Sequence, residues 1–157
     1  MGKILNLGAG DSAKQEGIIN VDIRNLPTVD VVADVAKLPF EDGECEGVMS
    51  RNLIEHFGRH EYFDVVKEWV RVLQPGGFLR VETVDMGLLM DKWREIPEEN
   101  WLDGVLGAQT YPENFHKMSF TRERLESDFE KLGLEVAEVK QFDAREIPRI
   151  IIIGIKK

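Results

Sequence analysis

A chain of 157 residues with 29 acidic and 20 basic side chains, net charge −9, fits one domain and shows no basic stripe, which opposes a phosphate-tracking nucleic-acid binder. Its single cysteine, Cys45, excludes an internal disulfide or a multi-cysteine metal site and fits a reducing, cytoplasmic compartment. No apolar run approaches the roughly 20 residues that span a bilayer, and Met1-Gly2-Lys3 leads into a strand without a signal-peptide pattern.

The first predicted strand, 3–7, runs into Gly8-Ala9-Gly10, and the second, 18–22, ends on Asp22. Two apolar runs that stop at a glycine or polar tip read as neighbouring buried parallel strands whose carboxyl ends line a ligand crevice. Glycines at the first tip let backbone approach a ligand closely. Asp22 at the second tip is placed to accept hydrogen bonds from the two hydroxyls of a ribose, so the pair describes a nucleoside site. Gly8 to Ala13 also fits the dinucleotide pattern GxGxx[GA]. The stretch from Gly10 to Asp22 is too short, however, for a loop plus the full helix that holds a pyrophosphate, and this disfavours NAD.

A third strand, 29–33, ends at Asp34 and is followed by Leu38-Pro39-Phe40; a fourth spans 46–50. Phe63, Val66, Val70 and Leu73 recur at helical spacing and predict a helix over 60–74, ended by Pro75-Gly76-Gly77. A strand at 78–84 and a helix near 86–95 come next. A helix over 121–132 starts at Thr121 as N-cap, carries Leu125, Phe129 and Leu132 on one face, and stops at Gly133. Strands at 134–141 and 149–156 have no helix between them and predict an antiparallel hairpin. The alternation of strand and helix predicts a parallel sheet covered on both faces. Leu88, Leu89, Met90, Trp93, Trp101 and Leu102 read as core, a dimer face or a wall of an acceptor pocket.

Five motifs stand in order between residues 4 and 85: Leu5-Asn6-Leu7-Gly8-Ala9-Gly10, Ile19-Asn20-Val21-Asp22, Asp34 with Leu38-Pro39-Phe40, Ile54-Glu55-His56-Phe57, and Arg71-Val72-Leu73-Gln74-Pro75-Gly76-Gly77. In these the chain resembles the class I S-adenosylmethionine-dependent methyltransferases, nearest the small type 11-like subgroup. The resemblance implies an α/β, Rossmann-like doubly wound, mostly parallel seven-stranded sheet with an antiparallel C-terminal hairpin, in one domain over 1–157. It implies S-adenosyl-L-methionine as cofactor, held by Asn6, Gly8, Ala9, Gly10, Asp22, Ile23, Asp34, Val35 and Arg51. Asp34 would accept from the adenine amine while the backbone of Val35 meets a ring nitrogen. Asn6 departs from the acidic residue that many members carry there, and is expected to orient a water or a backbone group. Gln109 to Lys117 is similar to a segment in a subgroup linked to surface-glycan biosynthesis.

A sulfonium is an activated methyl donor, so the protein chiefly has to hold an acceptor close to it. A hydroxyl acceptor also needs a base, and His116, His56 and Asp85 are the catalytic candidates. His116 lies among Tyr111, Asn114 and Phe115, residue types that stack on and bond to sugars; His56 also reads as a structural hydrogen-bonding residue. The fourth strand tip, Ser50-Arg51-Asn52-Leu53, lacks the Asn/Asp-Pro-Pro-aromatic motif of base and amide N-methylation. No His, Asp or Glu set has metal-ligand spacing, so no metal is expected. These residues point to O-methylation of a small-molecule or glycan acceptor, with no nucleic acid partner, no membrane span and a homodimer as the candidate assembly. The alternatives are a catalytically silent S-adenosylmethionine-binding module and an NAD-dependent oxidoreductase.

Overall fold

The structure is a computed structural model that describes residues 2–144 and 146–157. Seven strands form one sheet: β1 (Lys3–Leu7), β2 (Ile18–Asp22), β3 (Val31–Val32), β4 (Cys45–Arg51), β5 (Leu73–Val84), β6 (Leu134–Ala144) and β7 (Ile147–Lys156). Their order is β3-β2-β1-β4-β5-β7-β6, with β7 antiparallel to both neighbours and every other pairing parallel. The expected seven-stranded sheet and its C-terminal hairpin are both present. The strand order reverses between the parallel neighbours β1 and β4, and the connections leaving their carboxyl ends run to opposite sides, which leaves a crevice there.

Four helices accompany the sheet: α1 (Tyr62–Val72), α2 (Met86–Asp91), α3 (Glu98–Leu106) and α4 (Arg122–Lys131). The buried side of α1 carries Tyr62, Val65, Val66, Trp69, Val70 and Val72, a stripe wider than the Phe63-Val66-Val70-Leu73 spacing predicts. It ends at Val72, two residues before the predicted stop, because Leu73 already pairs with Cys45 as part of β5. Thr121 caps α4 as expected, its side chain accepting from the Arg124 backbone N–H at 3.3 Å. α2 is shorter than the expected 86–95, and α3 is an element the sequence did not announce.

The main core lies on one side of the sheet. Leu5, Leu7, Val48, Leu79, Val81 and Ile152 are fully buried there, against the stripe of α1 and Leu125 and Phe129 of α4. Helices stand on both faces as expected, but the second face is covered only in part: Val84 and Ile147 lie there beneath Leu89 of α2 and Trp101 and Val105 of α3. Asn6, Met49, Arg80 and Ile153 share a row on the other face, as do Glu82 and Ile151, and all six stay partly exposed. Among the described residues no helix lies between β1 and β2, β2 and β3, or β3 and β4. Those connections are too short or too interrupted, by Pro27, Pro39 and Gly43, to form helices.

Candidate active site

The turn after β1 is built for close approach. Gly8 and Gly10 both have positive φ, +62° and +53°, and a Cβ on Gly8 would meet Leu53 at 2.8 Å. Ala9 donates its N–H to Val21 at 3.1 Å, which ties the turn to β2. Asn6 donates to the Asn20 side chain at 3.0 Å, and the Asn20 amide donates to the carbonyls of Ser12 (3.1 Å) and Thr28 (2.9 Å). Asn20, buried and unflagged by sequence, thereby pins both loops that follow β1 and β2. Asn6 thus bonds to a side chain rather than to the water or backbone group expected of it.

Asp22, nearly buried at the end of β2, accepts from the Gly10 N–H at 2.8 Å, the Arg24 N–H at 2.9 Å and Arg24 Nε at 3.2 Å. Burial pushes its carboxyl up, but the Arg24 guanidinium and the two N–H donors outweigh it and hold the pKa below the ordinary range. The carboxylate is therefore charged at neutral pH. Asp34 accepts from the Ala36 N–H at 2.8 Å in a tight turn, and the Val35 carbonyl accepts from Trp69 Nε1 at 3.0 Å.

Three cavities meet at the carboxyl edge. One of about 400 Å³ is lined by Gly8, Asp22, Ile23, Asp34, Val35 and Leu53, with Tyr111 and Pro112 across from them. A second of about 580 Å³ takes in Asn6, Gly8, Ala9, Gly10 and Arg51. The nine residues named from sequence for the cofactor thus all line one or both of these. A third of about 420 Å³ is walled by Glu55, His56, His116 and Arg149. Asn52 lines all three from a left-handed backbone conformation, φ +53°, and its side chain accepts from Arg149. Arg24 borders the first two and stacks on Tyr111, 5.1 Å from the ring centre. Arg24 and Asn52 escaped the sequence reading because they sit just past a strand end, where position gives no periodic signal.

The segment from Gln109 to Lys117 crosses the carboxyl edge and returns against the one-turn 3-10 helix Ile54–His56. The N–H groups of Lys117 and Met118 donate to the Glu55 carbonyl at 2.8 and 3.2 Å. This brings His116 beside His56, with ring centres 5.2 Å apart, and puts its Nε2 4.0 Å from Glu55 Oε1. Burial lowers the His116 pKa below its usual value, with His56 and Arg149 adding to the effect against the opposing pull of Glu55, so the imidazole is neutral at pH 7. Asp85 does not join them. One of its oxygens caps α2 by accepting from Leu88 N–H at 3.1 Å, and the other accepts from Gln141 Nε2 at 2.5 Å. Its carboxylate is buried and fully engaged, which removes it from the catalytic candidates. Trp93, Met90 and Leu102 line a separate open hollow with Trp101, which shares no lining residue with the three cavities.

Sheet order, reversed last hairpin and a glycine turn facing an acidic strand tip define a class I methyltransferase fold. A methyltransferase domain family model matches residues 9–81. Over that span the chain is similar to methyltransferase domains, and its fold is that of the class I enzymes. Solved structures share the fold over nearly the whole chain. One is a S-adenosylmethionine-dependent methyltransferase from Archaeoglobus fulgidus, with TM-score 0.72 and 16% identity, covering 99% of this chain and 86% of that one. Another is the Burkholderia thailandensis 1,6-didemethyltoxoflavin-N1-methyltransferase with bound 1,6-didemethyltoxoflavin and S-adenosylhomocysteine, with TM-score 0.71 and 12% identity, covering 98% and 70%. A third, from Thermotoga maritima, is described as a possible histamine N-methyltransferase, with TM-score 0.68 and 21% identity, covering 100% and 83%. No curated protein matches the chain.

Proposed function

We propose that this methyltransferase uses S-adenosylmethionine to methylate a hydroxyl of a small-molecule or glycan acceptor. The observation that carries the reading is a shared wall. Asn52 and His56 line both the cavity headed by Asp22 and the cavity holding His116, so a cofactor and an acceptor bound in the two would meet there.

The residues fit the cofactor. The Gly8 turn leaves a cradle that a Cβ would fill, and the Asp22 carboxylate, charged and nearly buried, suits ribose hydroxyls. Asp34 keeps one oxygen beyond its turn contact for an exocyclic amine, beside the Val35 backbone. When bound, S-adenosylmethionine supplies a methyl group on a positively charged sulfur. The protein's own work is to hold the acceptor oxygen in line and to dispose of its proton. His116, neutral and facing the acceptor cavity, is matched to that second task. Tyr111 and Asn114 line the same cavity and offer a stacking ring and an amide to a sugar.

Calorimetry and a methyl-transfer screen test this reading. S-adenosylhomocysteine is expected to bind and NAD to leave the melting temperature unchanged. His116→Ala is expected to lower turnover on a hydroxyl acceptor by about 10²–10⁴-fold at nearly constant cofactor affinity. Tighter binding of NAD than of S-adenosylhomocysteine would overturn the cofactor assignment; transfer only to amines or thiols would overturn the hydroxyl assignment.

A further inference from the structure

We infer that Glu55, His56 and His116 form a binding site for a divalent transition metal, of the two-imidazole, one-carboxylate type suited to zinc. Sequence spacing hides it, since 60 positions separate the second histidine from the first. The fold closes that gap and sets one ligand atom of each residue within 4.8 Å of the others.

Three observations carry the inference. The first is the state of Glu55. It is 2% exposed, yet neither carboxylate oxygen has a hydrogen-bond partner. A buried carboxylate without partners carries a large desolvation cost, and a cation against it removes that cost. The nearest candidate partner, His116 Nε2, stands at 4.0 Å, too far for a hydrogen bond.

The second is the orientation of the two imidazoles. His56 Nδ1 lies 3.0 Å from the Phe115 carbonyl and His116 Nδ1 lies 3.0 Å from the Gly104 carbonyl. A carbonyl only accepts, so each Nδ1 carries the hydrogen and each Nε2 is left with a lone pair. A ligating histidine is held in this way, with the far nitrogen donating to a carbonyl or carboxylate that fixes tautomer and ring angle.

The third is access. The three groups wall a cavity of about 420 Å³, so a metal held by them would keep positions open to an incoming molecule. Two imidazoles, one carboxylate and an open position is a donor set of catalytic rather than structural zinc. Tetrahedral zinc would bring its ligand atoms to about 3.3 Å from one another, on metal–ligand bonds of about 2.0–2.2 Å. From separations within 4.8 Å, each pair has to close by about 1.5 Å at most to reach that.

The consequence for the reaction rests on the proposed hydroxyl acceptor; the binding of metal does not. An alcohol oxygen on the open position would lose its proton to solvent water more readily than a free alcohol. The O–CH3 bond then forms as the S–CH3 bond breaks, and the sulfonium becomes a neutral thioether. In this scheme His116 acts as a ligand rather than taking the proton itself.

Chelator-treated full-length protein, dialysed against Zn²⁺ and measured for bound metal, is expected to hold one equivalent. Co²⁺ in its place is expected to give visible absorption bands of a low-coordinate nitrogen and oxygen site. Glu55→Gln and His116→Gln should each weaken Zn²⁺ binding by at least a hundredfold, with folding of both checked by far-UV circular dichroism. Glu55→Gln is the safer variant, since it replaces an unpartnered buried charge with a neutral group of the same shape. Absence of bound metal in the folded parent protein, or unaltered affinity in both folded variants, would sink the inference. S-adenosylhomocysteine affinity of the metal-free protein reports on the cofactor assignment alone, and methyl transfer by that protein reports on the acceptor without a metal. Failure of the metal site is thus distinguishable from failure of the methyltransferase reading.

Discussion

Asp22 concentrates several tasks in one carboxylate: it closes the Gly10 turn, holds Arg24, and lines the cavity proposed to take the cofactor's ribose. Removing it takes a charged acceptor away from the hydroxyls, worth roughly 1.5–3 kcal/mol, or about ten- to hundredfold in affinity. Asp22→Ala is therefore expected to weaken S-adenosylhomocysteine on that scale in calorimetry, with Asp22→Asn between it and the parent. The parent affinity should hold steady from pH 8 to pH 5. The Asp22 carboxyl is depressed, so its contribution is fully present above the ordinary aspartate pKa and fades only as pH falls through the lowered one. An unchanged affinity in both variants would mean that no ribose sits there. This residue was legible in the sequence because its meaning is local: one carboxylate at the end of one apolar run. Glu55 was not, because its meaning depends on a histidine 61 positions away that reaches it only through the crossing loop. Asp85 shows the converse. A carboxylate at a strand tip reads the same in sequence whether it faces a site or caps the next helix.

At the scale of elements, α1 sets the floor of the site from below. Trp69 is fully buried and its indole N–H donates to the Val35 carbonyl, the same short segment that lines the first cavity. Arg71, one turn end further on, bonds to Glu68, Asp42 and the Phe40 carbonyl, while Glu68 accepts from the Leu38 N–H at 2.8 Å. The loop after β3 is thereby fastened to the helix although it has no regular structure of its own. Trp69→Phe keeps an aromatic ring in the core but leaves a buried carbonyl without its donor, a loss of about 1–3 kcal/mol. Urea denaturation should show that loss, and S-adenosylhomocysteine affinity should drop severalfold as the Val35 segment loosens. Equal affinity would confine Trp69 to packing. The strands and the two long helices were readable from periodicity, yet the width of the α1 stripe was not, because Trp69 and Tyr62 lie off the simplest spacing. Helix α3 was missed for a compositional reason: Glu98, Glu99, Asn100 and Asp103 dilute its apolar signal. Gly104, which looks like a breaker, is buried there because a Cβ would press on Leu89 at 3.0 Å.

The molecule as a whole is lopsided: one face of its sheet carries the main core, while the other has a smaller cluster around Val84, Leu89 and Ile147 and keeps Met49, Arg80 and Ile153 in partial contact with water. Its ligand chemistry is confined to the carboxyl end of the sheet. At the amino end, Cys45 opens β4 between Lys3 and Leu73, fully buried, its thiol pushed up in pKa by that burial. The one sulfhydryl in the chain is therefore a clock set at the far end from the pocket. A disulfide reagent can read it only when the sheet opens, so the labelling rate measures how often that happens. If opening is a single event for the entire domain, S-adenosylhomocysteine at a hundred times its Kd should slow labelling by about a hundredfold, although it binds a sheet's length away. A rate indifferent to the ligand would show that the amino end frays by itself, and that the two ends of this small domain keep separate time.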